Sequence, residues 1–254
     1  AFACITLATL SIDTLMIQLL VGSTAVGLFH SGLKIAEIIG IFPAIFGRNI
    51  YPFISKYNSE PERIQRITQQ TISIMALIAC PMVAGLFTLA TPIFLLIYST
   101  EFEPAIPVFK ILIISTIPLL IIRILNQIQL ASNQQSTCAI NAGVSFITNI
   151  ILSWFLISSL GIIGAAIGTL IARVIYLALT LITINKQIPI HQIFKLNNLI
   201  YVAFSIVMAC GIILSSQLIS NLFILIVVGF SIYCLLLIIT NDQHLKKISK
   251  ILTS

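Results

Sequence analysis

The sequence contains very little charge. Of its 254 residues, 13 are Lys or Arg and 7 are Asp or Glu, which together make only 8% of the chain. A soluble domain has about 25% charged residues, whereas apolar residues reach 59% here and the mean hydropathy is +1.13. The chain therefore lacks the polar surface that a soluble enzyme, a nucleic-acid-binding protein or a disordered protein requires. We expect its net charge of +6 to mark a cytoplasmic membrane face and a polar cavity, with no nucleic-acid partner.

The chain also lacks closely spaced metal ligands. Its five cysteines form no CxxC pair, and its three histidines are scattered along the sequence. Because metal and disulfide sites depend on paired ligands, the sequence predicts no metal, no cofactor and no disulfide framework. The cysteines lie in apolar runs and are interpreted as small core residues.

What the sequence has instead is long apolar runs. A transmembrane helix needs about 20 mostly apolar residues, and short polar joints divide the chain into eight such runs. The predicted helices cover residues 1–22, 26–55, 66–98, 104–132, 136–158, 162–185, 196–216 and 219–240. The fold class is therefore predicted to be an all-α integral membrane protein. Because Ala1 lies within an apolar run with no initiator Met or signal peptide, we expect a fragment whose N-terminal part is missing.

The basic residues predict the orientation of these helices. Lys and Arg concentrate in the joints after the second and sixth predicted helices and in the tail, while the joints after the first, third, fifth and seventh contain none. Cationic loops of this kind stay in the cytoplasm, so we expect both ends of the chain to be cytoplasmic. The cations that carry this prediction are Lys56, Arg63, Arg66, Lys186, Lys195, Lys246, Lys247 and Lys250.

The second predicted helix contains four polar residues on one face. On a helix that turns about 100° per residue, His30, Lys34, Glu37 and Arg48 fall within about 60° of one another. Ionisable residues at membrane depth usually face a bundle interior or a watery cavity. The pattern favours a stripe that lines a conduit. The alternative is a structural Lys34–Glu37 pair, with the other two side chains reaching the membrane surface.

Other helices carry polar residues at membrane depth as well. In the fourth, Arg123, Asn126 and Gln127 fall within about 100° of one another. The sixth presents one polar face, made of Thr169, Arg173, Tyr176 and Thr180. In the first, Asp13 either exchanges a proton or pairs with a basic residue.

Together these residues predict a cavity that prefers anions, because strong cations outnumber carboxylates. Arginine is the better partner for phosphate, since its planar fork binds two oxygens at once. The candidate cavity-lining residues are Lys34, Arg48, Arg123, Arg173, His30, Asn126 and Gln127. The candidates for exchange of a coupling proton are Asp13 and Glu37.

Four short motifs are spread over residues 10–175. They are DTLM…AVGLF…GLK within 13–34, YSTEF at 98–102, LASNQ at 130–134 and GIIGAAIGT at 161–169. In this order and spacing they resemble the second half of polysaccharide-biosynthesis (O-antigen, Wzx-like) flippases, of the superfamily that includes multidrug and toxin extruders (MATE/MOP). Phe29 stands where that family has Tyr more often, and the second and third motifs lack the family's Gly.

The resemblance implies two six-helix lobes around a central cavity, with two extra helices at the C-terminus. Residues 1–185 would be the second lobe, and residues 186–254 the two extra helices with a basic tail. The family flips undecaprenyl-pyrophosphate-linked oligosaccharides, such as O-antigen or capsule repeat units, across the bacterial inner membrane by alternating access. The implied partners are this lipid-linked substrate, membrane lipids, a polysaccharide polymerase and a chain-length regulator.

Two other functions are weighed against a flippase. A multidrug or cation antiporter of the same fold would need an acidic or aromatic cavity, but the chain has one Trp and more cations than anions at membrane depth. A membrane-embedded enzyme acting on the lipid carrier would need catalytic groups in its outward joints. The carboxylates there, Glu101 and Glu103, would share one side of an extended segment without a partner His or metal ligand. We therefore expect no catalytic residues and no enzymatic activity.

Overall fold

The computed structural model of the chain describes residues 2–40, 60–185, 197–217, 219 and 221–240. Within these ranges the secondary structure is helical, with no strand. The helices are α1 (Phe2–Leu20), α2 (Ser23–Ile39), α3 (Pro61–Thr88), α4 (Ala90–Ile97), a 3₁₀ helix (Thr100–Ala105), α5 (Ile106–Ala131), α6 (Gln135–Leu160), α7 (Ile162–Ile184), α8 (Asn197–Ser216) and α9 (Leu222–Ile239).

Six helical segments of the described chain are long and apolar enough to cross a membrane. They are α3, the 3₁₀ helix with α5, α6, α7, α8 and α9, and they correspond to the third to eighth predicted helices. The first predicted helix corresponds to α1. The second, predicted as one helix over 26–55, is wrong at its end, because α2 stops at Ile39, where the Gly40 N–H bonds to the Glu37 carbonyl at 2.8 Å and closes the last turn. Residues 41–59, where the second was predicted to end, lie outside the described residues. The predicted all-α membrane fold is confirmed.

Two other predictions of local structure were wrong. The predicted third helix, 66–98, starts earlier at Pro61, because proline is well suited to the first turn of a helix. It also divides at Leu89, whose φ of −92° and ψ of 16° leave the helical range. The joint predicted to be extended at Glu101 and Glu103 is the 3₁₀ helix, with both carboxylates exposed.

Two glycines permit the tight turns between neighbouring helices. Gly22, between α1 and α2, has φ of 113°, and Gly161, between α6 and α7, has φ of 57°. Both values lie in the region that L-residues with a side chain rarely adopt. At one end of the bundle Val21, Leu160 and Ile162, which flank these two turns, line a common pocket.

The opposite end of the bundle gathers the first turns of α3 with the last turns of α5 and α7. Ile64, Ile128, Ala131 and Ile184 are buried there in one apolar cluster. The ends of α5, α6 and α7 therefore alternate between the two ends of the bundle, while the orientation in the membrane stays a prediction.

Helices α6 and α7 pack very closely. Gly164 and Gly168 of α7 lie against the backbone of Leu156 and Ile157 and against Ser153, with no room for a Cβ atom. Ala165 and Ala166 between them are fully buried. Helices in lipid associate through such small residues, because lipid gives no hydrophobic drive between them. The GIIGAAIGT motif thus brings polar side chains of α6 and α7 together.

The last two helices pack on the rest of the bundle through α3. The Ser73 hydroxyl of α3 donates to Asn198 Oδ1 of α8 at 2.8 Å, and the Tyr233 hydroxyl of α9 donates to the Leu77 carbonyl of α3 at 2.8 Å. A division of the chain into a lobe, residues 1–185, and an added pair, 186–254, stays a prediction.

Candidate functional site

A buried carboxyl group joins three helices near the middle of the bundle. Asp13 of α1 is 5% exposed. Its Oδ1 accepts hydrogen bonds from Asn149 Nδ2 at 2.8 Å and from the Ser153 hydroxyl at 3.3 Å, both on α6. Its Oδ2 lies 2.8 Å from the Thr169 hydroxyl of α7. Each of these hydrogen bonds joins α1 to another helix, so this group stabilises the α1–α6–α7 contact.

Arg173 lies one turn of α7 beyond Thr169 and faces several charges. Its guanidinium donates to the Ser115 hydroxyl of α5 at 2.6 Å. It is attracted electrostatically by Asp13 and Glu37 and repelled by Arg123. These four groups come from α1, α2, α5 and α7, and none of their oppositely charged pairs lies within 4 Å. In the described part of the chain, the oppositely charged pair closer than 4 Å is Arg63–Glu60, which is exposed and 3.5 Å apart.

Arg123 binds the C-terminal end of α2. Its guanidinium donates to the Gly40 carbonyl at 2.6 Å, and it is attracted by Glu37. The last carbonyls of a helix have no partner within the helix and carry partial negative charge. Arg123 thus caps α2.

The predicted polar stripe of α2 is partly described. His30 is half-buried, and its Nε2 lies 2.9 Å from the Thr14 hydroxyl of α1. Lys34 and Glu37, further along α2, are exposed. Arg48 lies outside the described residues, so its place in the stripe stays a prediction.

Asn126 and Gln127, the other predicted lining residues, differ in their surroundings. Asn126 is 6% exposed and its Nδ2 donates to the Tyr176 hydroxyl of α7 at 2.9 Å. Gln127 is half-buried. One turn further along, Gln129 Nε2 donates to the Thr183 hydroxyl at 2.7 Å, and Asn141 Nδ2 of α6 lies 3.2 Å from the same oxygen. The structure therefore places Asn126 in a contact between helices, apart from Asp13.

Sequence reasoning missed part of this site. Asn149 and Ser153 were not predicted as partners of Asp13, although their spacing of four residues places both on one face of α6. Gln129 and Asn141 were missed as well. Polar residues at helical spacing within apolar spans are the signal that could have indicated all four.

Two other charged groups lie away from this site. Lys110 of α5 lies with its Nζ 5.5 Å from the ring centroid of Phe87. Glu101 and Glu103 are exposed on the 3₁₀ helix. Across the described residues, no three His, Cys, Asp or Glu side chains lie close enough together to hold a metal ion.

The apolar spans and the buried polar contacts between them define an all-helical, multi-pass membrane protein. The family profile described as Lipid II flippase MurJ matches residues 2–236. The chain belongs to this family of flippases. The resemblance to flippases is thereby confirmed, while specificity for O-antigen stays a prediction.

Two relatives from Haloferax volcanii are similar to part of the chain. The probable low-salt glycan biosynthesis flippase Agl15 is 27% identical over 163 residues, which cover 62% of this chain and 34% of the relative. The probable flippase AglR is 26% identical over 170 residues, 63% of this chain and 35% of the relative. The chain thus spans about a third of the length of these relatives. Their names are those of transporters and not of enzymes.

A solved structure shares the fold. A lipid II flippase MurJ in an inward closed conformation superposes with a TM-score of 0.77 at 19% identity, over 95% of this chain and 52% of that chain. Nearly all of this chain therefore corresponds to about half of a larger helical bundle.

Proposed function

We propose that the chain is one lobe and the final helix pair of a flippase that moves a lipid-linked oligosaccharide across a membrane. The observation that carries this proposal is the family match over residues 2–236. The name of Agl15, a probable low-salt glycan biosynthesis flippase, agrees with a glycan as part of the cargo. In this proposal the protein lies in the bacterial inner membrane with both ends of the chain in the cytoplasm.

The charge arrangement supports an anionic cargo. Lys34 is exposed on α2, and Arg123 and Arg173 interact with the same carboxylate, Glu37. Among the described residues, Arg123 donates to the Gly40 carbonyl and Arg173 to the Ser115 hydroxyl, and a guanidinium carries five N–H donors in all. In the proposed mechanism these cations, with Arg48, hold the pyrophosphate of the lipid carrier while the two lobes alternate between inward- and outward-open states.

The narrower substrate we propose is an undecaprenyl-pyrophosphate-linked O-antigen or capsule repeat unit. A lipid-linked peptidoglycan precursor differs in its sugar and peptide and shares the same carrier chemistry. In this setting a polysaccharide polymerase and a chain-length regulator would act on the flipped product.

The test is a transport assay of the full-length protein in proteoliposomes. The probes are a fluorescent undecaprenyl-pyrophosphate oligosaccharide, lipid II, and a cationic dye. We expect transport of one or both lipid-linked probes and none of the dye. Transport of the dye alone would refute the flippase assignment in favour of a multidrug antiporter. Transport of lipid II alone would refute the O-antigen assignment.

We further propose that Asp13 exchanges a proton during the transport cycle. Two proton arrangements fit the same atomic positions. When Asp13 is ionised, the Thr169 hydroxyl donates to Oδ2 at 2.8 Å. When Oδ2 carries a proton, it donates to Thr169, whose own hydrogen turns to the Ala165 carbonyl at 3.0 Å. Asn149 donates to Oδ1 in both arrangements.

Imposed gradients across the proteoliposomes test this coupling. We expect a pH gradient to change the transport rate of the wild-type protein and to leave Asp13→Asn unaffected, with Glu37→Gln as the comparison at an exposed carboxylate. If both variants respond to the pH gradient as the wild type does, proton exchange at these residues is wrong. A response of the transport rate to a sodium gradient, with no response to a pH gradient, would identify sodium as the coupling ion.

A further inference from the structure

The polar face of α7 contains one side chain that breaks its pattern. The face consists of Thr169, Arg173, Tyr176, Thr180 and Thr183. Four of these side chains contact a polar side chain on another helix. The Thr180 hydroxyl, fully buried, has no partner among the described residues.

The Thr180 hydroxyl also makes no bond to its own helix. Threonines in helices commonly donate to the carbonyl three or four residues earlier, as Thr68, Thr71, Thr148 and Thr183 do in this chain. Thr180 does not, so its hydroxyl is not satisfied by the backbone of α7. Leaving a buried hydroxyl unpaired costs about 1–3 kcal/mol.

A second unpaired atom lies on the facing helix. Asn126 of α5 donates through Nδ2 to Tyr176, but its Oδ1 is buried without a partner in the described chain. Turning the amide over would only exchange the unpaired oxygen for an unpaired nitrogen. Because the Tyr176 hydroxyl accepts in this contact, its own hydrogen is available to another acceptor.

Along α7, Thr180 lies between two contacts with α5, Asn126–Tyr176 and Gln129–Thr183, so these groups belong to the same stretch of the α5–α7 contact. Tyr176 and Thr180 are one turn apart on the same face of α7, and Asn126 contacts Tyr176 from α5. The set offers an acceptor, a hydroxyl and a donor, with no carboxylate to hold a cation. A neutral molecule that both donates and accepts hydrogen bonds, and that is small enough for a buried site, suits this set.

We propose that one water molecule binds between Asn126 Oδ1 and Thr180 Oγ1, within reach of the Tyr176 hydroxyl. Buried waters typically make about three hydrogen bonds to groups that would otherwise be unpaired. This water links α5 to α7 between the level of Arg173 and the direct Gln129–Thr183 contact. The proposal does not depend on the transported substrate.

A structure of the full-length protein in lipid nanodiscs, at a resolution that orders water, tests the site. We expect density for one atom at about 2.7–3.1 Å from both oxygens, and its loss in Thr180→Val, which keeps the side-chain shape. A direct bond between Asn126 Oδ1 and Thr180 Oγ1, or a larger molecule in the site, would overturn the proposal.

X-ray radiolytic labelling, which oxidises side chains beside bound water, gives a second measurement. We expect Tyr176 to be labelled in the wild-type protein and severalfold more slowly in Thr180→Val. Tyr233, which is bonded to the Leu77 carbonyl, is the control and should not change. Equal labelling of Tyr176 in the two proteins would contradict a water held by Thr180.

Discussion

At the residue scale, the stability of the buried Asp13 carboxyl group depends on the hydrogen-bond donors around it. Thr169 approaches its carboxyl group at 2.8 Å and Ser153 at 3.3 Å, so the two hydroxyls contribute unequally. Both are side chains whose removal leaves a buried acceptor with one partner fewer.

We expect Thr169→Val to destabilise the protein by about 1–3 kcal/mol and Ser153→Ala by less. Thermal unfolding in detergent measures the difference. Thr148→Val is the matched control, since among the described residues that exposed hydroxyl bonds to the Val144 carbonyl of its own helix. Equal melting temperatures for all three variants would show that the Asp13 contacts carry no stability.

The exposure of the α2 stripe gives a second prediction. In a background without native cysteines, Lys34→Cys should react quickly with a water-soluble maleimide, because position 34 is exposed. Ala36→Cys, at a position 2% exposed, should stay unlabelled under the same conditions. If Lys34→Cys fails to react in folded protein, this face of α2 does not border water and the cationic conduit loses its support.

The proposed role of the arginines in holding the cargo gives a third prediction, measured in the transport assay. Arg123→Ala and Arg173→Ala should reduce flipping sharply, and the corresponding lysines should restore only part of it, because lysine keeps the charge and loses the planar fork. Protein amount in the membrane is the control. A fall in protein amount that matches the fall in flipping would assign both arginines to packing alone.

Sequence patterns found Asp13 and the arginines because ionisable residues are rare at membrane depth. They did not find the partner of Arg123, which is the backbone carbonyl of Gly40 and therefore has no side-chain signature. Asn126 was predicted on a polar face, but the angle on one helix cannot tell a cavity from a contact with Tyr176 on the next.

At the element scale, the close approach of α6 and α7 places a strict limit on side-chain size. Gly164→Ala should destabilise the protein by about 1–3 kcal/mol, the usual cost of overpacking, because its Cβ would meet the backbone of Leu156. Gly143→Ala is the control, since a Cβ there meets nothing within 4 Å. Size-exclusion profiles and melting temperatures distinguish the two. A Gly164→Ala protein as stable as the control would contradict the packing described.

Helix positions were predictable from the sequence because apolar runs of this length are unambiguous in a membrane protein. The breaks within helices were not predictable from the sequence. Hydropathy does not depend on backbone angles, so it gives no signal of the helix break at Leu89. The 3₁₀ helix at Thr100–Ala105 has too few residues to show a periodic pattern.

At the scale of the whole molecule, the alternation of helix ends leads to a topology prediction. Reporter fusions at Glu60, Asn133, His191 and Ser254 should give cytoplasmic signals, and fusions at Glu101, Leu160 and Gln217 periplasmic ones. One fusion on the wrong side would refute the eight-helix topology.

The hydrogen bonds of Asp13 also bear on how the protein is made. They connect residues 136, 140 and 156 positions apart in the chain. Ribosomes add about 5–20 residues per second, so Asp13 enters the membrane on the order of 10 s before its partners. During that interval α1 carries a carboxyl group that lipid does not solvate. Asp13 therefore gains these three hydrogen-bond partners only after α6 and α7 have been synthesised.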